Sequence, residues 1–239
     1  MLPISNSGAG RAAMVVATLG LLVTACSGRF DASIGKNGEA SFSAKAGLPA
    51  VMAAKLRALS GMSASTPIFD AAAVQRTLLV RKGMGRAVAS CPDPDSLSVS
   101  ATIVDLGALI ASPDLSQLLH LESAKGVSRL SISLSRDHGQ DILALLPGID
   151  PGLVEALSPP ALGGGDYSKE EYRQALATIL GSKSMPAFDA ASIELAVTVP
   201  GAIVASSGGR VEGSTWKVDI PLLDLLVLDK PIELSLSWS

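Results

Sequence analysis

Along much of the chain polar and apolar residues take turns, and the polar partner is very often serine. Leu97, Val99, Ala101 and Ile103 alternate with Ser98, Ser100 and Thr102; Leu130, Ile132 and Leu134 alternate with Ser131 and Ser133; Ile232, Leu234, Leu236 and Trp238 alternate with Glu233, Ser235 and Ser237. Successive side chains of a strand point to opposite faces, so this period predicts strands with one buried and one wet face. Residues 193–199 and 216–220 repeat it. Phe30, Ala32 and Ile34, then Gly35-Lys36-Asn37-Gly38, then Ala40, Phe42 and Ala44 predict an opening hairpin. One-sided alternation belongs to antiparallel sheets, because parallel sheets are covered on both faces.

Helical spacing interrupts the strands. Leu48, Val51, Met52, Leu56 and Leu59 recur at i, i+3, i+4, i+8 and i+11, which predicts an amphipathic helix with these five on its core side. Ser168 and Glu171 form a capping box ahead of Tyr172, Ala175, Leu176, Ile179 and Leu180, with Gly181 as the stop. A third helix is predicted over 71–80 and shorter ones over 141–146 and 222–227. Residues 147–165, rich in proline and glycine, read as a long loop or seam. The predicted fold class is α+β: a mainly antiparallel sheet with helices packed on one face, after an N-terminal signal peptide.

The signal peptide follows from the longest apolar run near the start. Residues 12–23 form 12 positions broken only by Thr18 and Gly20, after the single basic residue Arg11. A spanning helix needs about 20 apolar residues, whereas a basic start, a short apolar core and a small-residue end describe an export signal. The end, Val23-Thr24-Ala25-Cys26, resembles the lipobox of bacterial lipoproteins. That resemblance implies diacylation of Cys26 and cleavage in front of it. The expected organisation is therefore a signal peptide at 1–25, an acylated tether at 26–29 and a single domain at 30–239. Two acyl chains give stable attachment where one gives only marginal binding. A tether of three residues reaches about 10 Å, so the domain is expected against the lipid surface.

Composition narrows the function further. The chain is 48% hydrophobic and 17% charged with net charge −3, and removing Arg11, the one charged side chain of residues 1–25, leaves −4. This is a globular composition, and it is not basic enough for nucleic acid. With Cys26 acylated, Cys91 has no partner for a disulfide and is expected as a small buried hydrophobe. His120 and His138, the two histidines, sit in no metal-binding spacing. Ser33-Ile34-Gly35-Lys36 matches a bare S-x-x-K, but in a hairpin and not at the start of a helix. Gly163-Gly164-Gly165 follows two prolines and not a strand, and Asp93, Asp95 and Asp105 have no calcium-loop spacing, so the Cys91-Pro92-Asp93-Pro94-Asp95 stretch reads as a solvated turn. The chain is expected to be no enzyme, with no metal and no cofactor.

The last third carries a second resemblance. In residues 198–221, Pro200-Gly201 ends a strand, Ser207-Gly208-Gly209 and Gly213 make turns, and Trp216 opens an aromatic strand. This arrangement is similar to LppM-type lipoprotein domains, with the LppM-like part at 190–239. The resemblance implies an exported, lipid-anchored α+β domain associated with lipid or glycolipid binding in the envelope. It carries over no ligand-binding residue.

Residues 222–228 hold six apolar positions in seven, and residues 144–149 lead into Leu153, Val154, Ala156 and Leu157, more aliphatic surface than sheet-facing helices require. Trp216, Leu222, Leu225, Leu226 and Leu228 are thus the candidate ligand-binding residues, and Cys26 the lipidation site. The expected function is an exported, lipid-anchored, non-catalytic envelope protein that binds a lipid or other apolar ligand at the membrane surface. The alternative is a structural or assembly lipoprotein that docks another envelope protein. The expected place is the periplasmic or extracytoplasmic face of a bacterial membrane. Ser27, where an aspartate retains many lipoproteins at the inner membrane, favours the outer one.

Overall fold

The computed structural model describes residues 27–144, 157–163 and 165–239. Cys26, the expected signal peptide and most of the 147–165 seam lie outside them.

The chain opens with β1 (Ser27–Ile34) and β2 (Ala40–Gly47), the expected hairpin, followed by α1 (Ala50–Ser60) and α2 (Ala71–Leu79). Next come β3 (Met84–Ser90), β4 (Ser96–Ile103), the short α3 (Leu106–Ile110) and α4 (Pro113–Ser116), then β5 (Leu119–Ala124), β6 (Val127–Leu134) and α5 (Gly139–Ala144). The remainder is α6 (Lys169–Leu180), α7 (Met185–Asp189), β7 (Ser192–Thr198), β8 (Ile203–Ser207), β9 (Arg210–Glu212), β10 (Thr215–Pro221), α8 (Leu222–Val227) and β11 (Ile232–Trp238).

The class is α+β, as the alternation requires, but the strands make two sheets where one was expected. A seven-stranded sheet has the order β3-β4-β2-β1-β7-β10-β9, and a four-stranded sheet the order β5-β6-β11-β8. Every pair of described strands is antiparallel except β1 with β7, where Phe30 lies opposite Leu195. The split arises in the last third, where the chain changes sheet at each break. Strand β7 belongs to the large sheet and β8 to the small one; β9 and β10 return to the large sheet, and β11 goes back to the small. The turns permit this by close backbone approach. A Cβ on Gly201 would collide with the Ser239 carbonyl, and Gly208, at φ 75°, passes close to Leu234. Both inner faces and the helices then share one core, with the Phe30 and Phe42 rings 5.5 Å apart and tilted by 37°.

Two local expectations change. Ser27, Gly28 and Arg29, expected as a tether, are the first residues of β1, paired with Gly47, Ala46 and Lys45 on one side and with Ser192, Ile193 and Glu194 on the other. In α1 the core takes Met52, Ala53, Leu56 and Arg57, while Val51 and Leu59, expected inside, are 59% and 49% exposed. Arg57 displaces them because it has work to do inside. It is only 6% exposed; its Nε donates to Thr66 O at 2.9 Å, its Nη2 to Pro94 O at 2.9 Å, and it pairs with Asp95 at 2.5 Å. One guanidinium thereby ties α1 to the loop before α2 and to the turn before β4.

That turn also holds Cys91, which is half-buried against the core, with its thiol donating to Phe69 O at 3.3 Å. Burial pushes its pKa up, so the reactive thiolate is scarce. Maleimide should therefore label Cys91 slowly in the native protein and fast after denaturation. Equal rates would show a thiol open to solvent.

Candidate functional site

The register fixes one end of the large sheet. Ser27 lies opposite Gly47 and Ser192, Gly47 opposite Ser96, and Ser192 opposite Pro221, so these five residues make a row across β1, β2, β4, β7 and β10. Cys26 is one peptide before Ser27, at most about 3.8 Å from Cα to Cα. Pro221 lies two strands from Ser27, about 10 Å at the usual strand spacing.

A pocket of about 520 Å³, with Pro221 on its lining, lies between β10 of the large sheet, α8 and β11 of the small sheet. Its walls are apolar: Val218 and Ile220 from β10, Val227 from α8, and Ile232 and Leu234 from β11. The rim is charged, with Asp219, Asp224, Asp229, Lys169 and Lys230. Four of these are paired: Asp219 with Arg210 at 2.8 Å, Asp224 with Lys169 at 2.5 Å, and Asp229 with Arg136 at 3.6 Å. Lys230 is exposed and has no ion-pair partner among the described residues. Hydrogen bonds from Arg210 to Asp219 and then to Glu212 raise the guanidinium pKa, which fixes a charged clasp beside the opening.

Helix α8 forms the inner wall. Pro221, the last residue of β10, precedes it with extended ψ (135°), and Leu222 N donates to Ala191 O at 2.9 Å. It stops at Leu228, held at φ 47° by burial although that region disfavours a branched side chain. Arg136 completes the stop, donating from Nε to Val227 O at 2.8 Å while its other nitrogens hold Asp166 and Tyr167 O, each at 2.5 Å. Sequence reasoning missed Arg136, since nothing local links it to a carbonyl far along the chain.

The five candidate ligand residues come together in the core, off the pocket lining. Trp216, Leu222, Leu225, Leu226 and Leu228 are all buried in the core, and none lines the opening. From the same two elements the lining takes Val218, Ile220, Pro221, Asp224 and Val227 instead. The signal available in sequence was Asp224, the one polar residue in 222–228, which marks the side of the helix that meets the pocket rim.

The other singled-out residues have structural partners. Asp93 accepts from Ser96 Oγ at 2.6 Å and Asp95 N at 2.9 Å, which holds its carboxyl below the usual range, and Asp105 caps α3 through Ala108 N at 3.0 Å. His138 Nδ1 lies 3.3 Å from Ser135 Oγ, and His120 borders a shallow hollow of about 340 Å³ with Ile110, Leu121 and Glu122. Among the described residues no group of three or more His, Cys, Asp and Glu side chains could hold a metal, and no helix is long and apolar enough to cross a membrane.

Comparison with known proteins gives a fold likeness. The chain is similar to the folded domain of the Mycobacterium tuberculosis LppM protein, solved by NMR, with TM-score 0.43, 12% identity, and coverage of 88% of this chain and 87% of that one. No family model matches the chain, and no curated protein sequence matches it.

Proposed function

We propose that the protein is an exported, lipid-anchored, non-catalytic envelope protein that holds a lipid or similar amphiphile at the membrane surface. What supports this reading is the make-up and place of the pocket: apolar walls with a charged rim, and Pro221 on its lining in the same row as Ser27, the residue that follows Cys26. An acyl chain suits the aliphatic walls, whose burial from water is worth about 25 cal/mol per Å² of apolar surface. The polar head then lies among Lys169, Asp224 and Lys230, and the exposed Lys230 suits an anionic head. The volume falls within the roughly 300–1,000 Å³ common for small-molecule pockets.

Native mass spectrometry of the full chain extracted gently from membranes tests both halves together. The covalent mass should report diacylation at Cys26, and a further species should carry one lipid that is released on denaturation. A protein with the covalent lipid alone would favour the alternative, an assembly lipoprotein that docks another envelope protein. Absence of the covalent lipid as well would remove the anchor.

A further inference from the structure

Helix α1 presents two apolar stripes, and only one is used by the core. Val51, Ala54, Lys55, Ala58 and Leu59, spaced i, i+3, i+4, i+7 and i+8, all face outward and are exposed, with Lys55 the single charge among them. A water-facing helix ordinarily carries its charges on this side, and one that is apolar on both faces has a second neighbour.

The position of the helix identifies that neighbour. Ala50 follows the end of β2, whose Gly47 pairs with Ser27, and Leu48 N donates to Asp95 O at 3.0 Å. Two turns later Arg57 is still bound to Pro94 O and Asp95, in the turn that leads into Ser96, and Ser96 again pairs with Gly47. Leu48, just ahead of α1, and Arg57 in its second half thus both bind the 94–95 turn, which places α1 at the end of the sheet that Gly47, Ser27 and Ser96 share. The 11 residues of α1 span about 16 Å. This is the end at which β1 begins, one residue after Cys26, and Pro221 on the pocket lining lies on the other side of β1 from α1. Asp93, in the turn that Arg57 binds, is engaged by Ser96 and by the Asp95 amide, and Asp70, the exposed carboxylate nearest to α1 in sequence, caps α2 through Ala73 N at 2.8 Å.

We infer that the outer face of α1 is a membrane-docking surface, seated on the lipid headgroup region beside the acylated cysteine. This rests on the anchor in the proposed function and adds an orientation to it. An acyl anchor alone leaves the domain free to tilt. An apolar helix lying flat on the same surface gives a second point of contact, with the Lys55 stem along the interface and its ammonium among anionic heads. The two contacts together hold the Pro221 side of the pocket toward the bilayer.

The test uses the acylated full chain in a Cys91→Ser background, reconstituted on vesicles of phosphatidylethanolamine and phosphatidylglycerol. An environment-sensitive fluorophore is placed at Leu59→Cys, or at Val104→Cys as the control. Val104 is 68% exposed and follows Ile103, which pairs with Ala40 at the far end of the sheet. Flotation with the vesicles reads the anchor separately from the docking. The expected result is that both proteins float, that the Leu59→Cys label shifts to the blue and is quenched by lipid brominated high on its chains, and that the Val104→Cys label does neither. Flotation with an aqueous Leu59→Cys signal would overturn the docking while leaving the anchor intact. A blue shift that brominated lipid does not quench would name a protein occupant, such as a second copy, and also overturn it. Failure to float would remove the anchor and the docking together.

Discussion

Replacing Leu225 by glutamine should lower the stability of the domain by about 4 kcal/mol, the sum of roughly 2 for lost aliphatic burial and roughly 2 for an amide with no partner. Leu225 is 1% exposed, on the inner face of a six-residue helix that cannot be stable by itself. For a domain of this size that corresponds to a fall in melting temperature on the order of 10 °C. Asp224→Asn, one residue away on the outer face, should move it by only a degree or two, since an exposed ion pair contributes at most about 1 kcal/mol. Thermal unfolding followed by tryptophan fluorescence checks both, because Trp216 and Trp238 are buried in the same core. A Leu225→Gln protein with unchanged melting that had lost bound lipid would make Leu225 a ligand contact and not a core residue.

Arg57→Met should cost about 3 kcal/mol. Methionine keeps the aliphatic stem but leaves Thr66 O without the Arg57 donor, Pro94 O with the Ile68 amide alone, and Asp95 without its cation. The loss is concentrated in the 91–95 turn, so maleimide labelling of Cys91 should quicken in the folded variant as well. Denaturant unfolding and labelling together check this. An unchanged unfolding midpoint with unchanged labelling would show that Arg57 fills space without holding the loops.

Much of the local structure was legible because its causes are local. The capping box forms as expected, with Ser168 accepting from Glu171 N and the Glu171 carboxylate accepting from Ser168 N at 2.9 Å. The 222–227 helix has the expected bounds, fixed by Pro221 before it and Asp229-Lys230-Pro231 after it. Periodicity could not choose between the two stripes of α1, because Val51 and Leu59 are as apolar as Met52 and Leu56. The choice fell to Arg57, whose partners lie in a loop and a turn remote in sequence. Strands β3 and β5 escaped notice because edge strands need little burial: β3 shifts register between Met84 and Ala87, and β5 buries little beyond Leu119. The division into two sheets is a matter of non-local pairing, such as Ser235 with Ser131 and Ser207, which alternation within a strand does not encode. The pocket is non-local in the same way, drawing its walls from three elements and its rim from four. Aliphatic richness in 222–228 singled out a helix that borders the pocket. It pointed to the inner face because leucine count measures burial, whereas an opening is marked by the residue that breaks the count, here Asp224.

The most direct test of the account is the lipid content of an Ile232→Trp variant. Ile232 is half-buried on the pocket wall at the start of β11, so an indole there occupies the pocket without crowding the core behind it. The account predicts a protein that melts within a few degrees of wild type, stays anchored through Cys26, and shows by native mass spectrometry no lipid beyond the covalent one, while wild type carries one more. An Ile232→Trp protein that retains the wild-type lipid complement would contradict it.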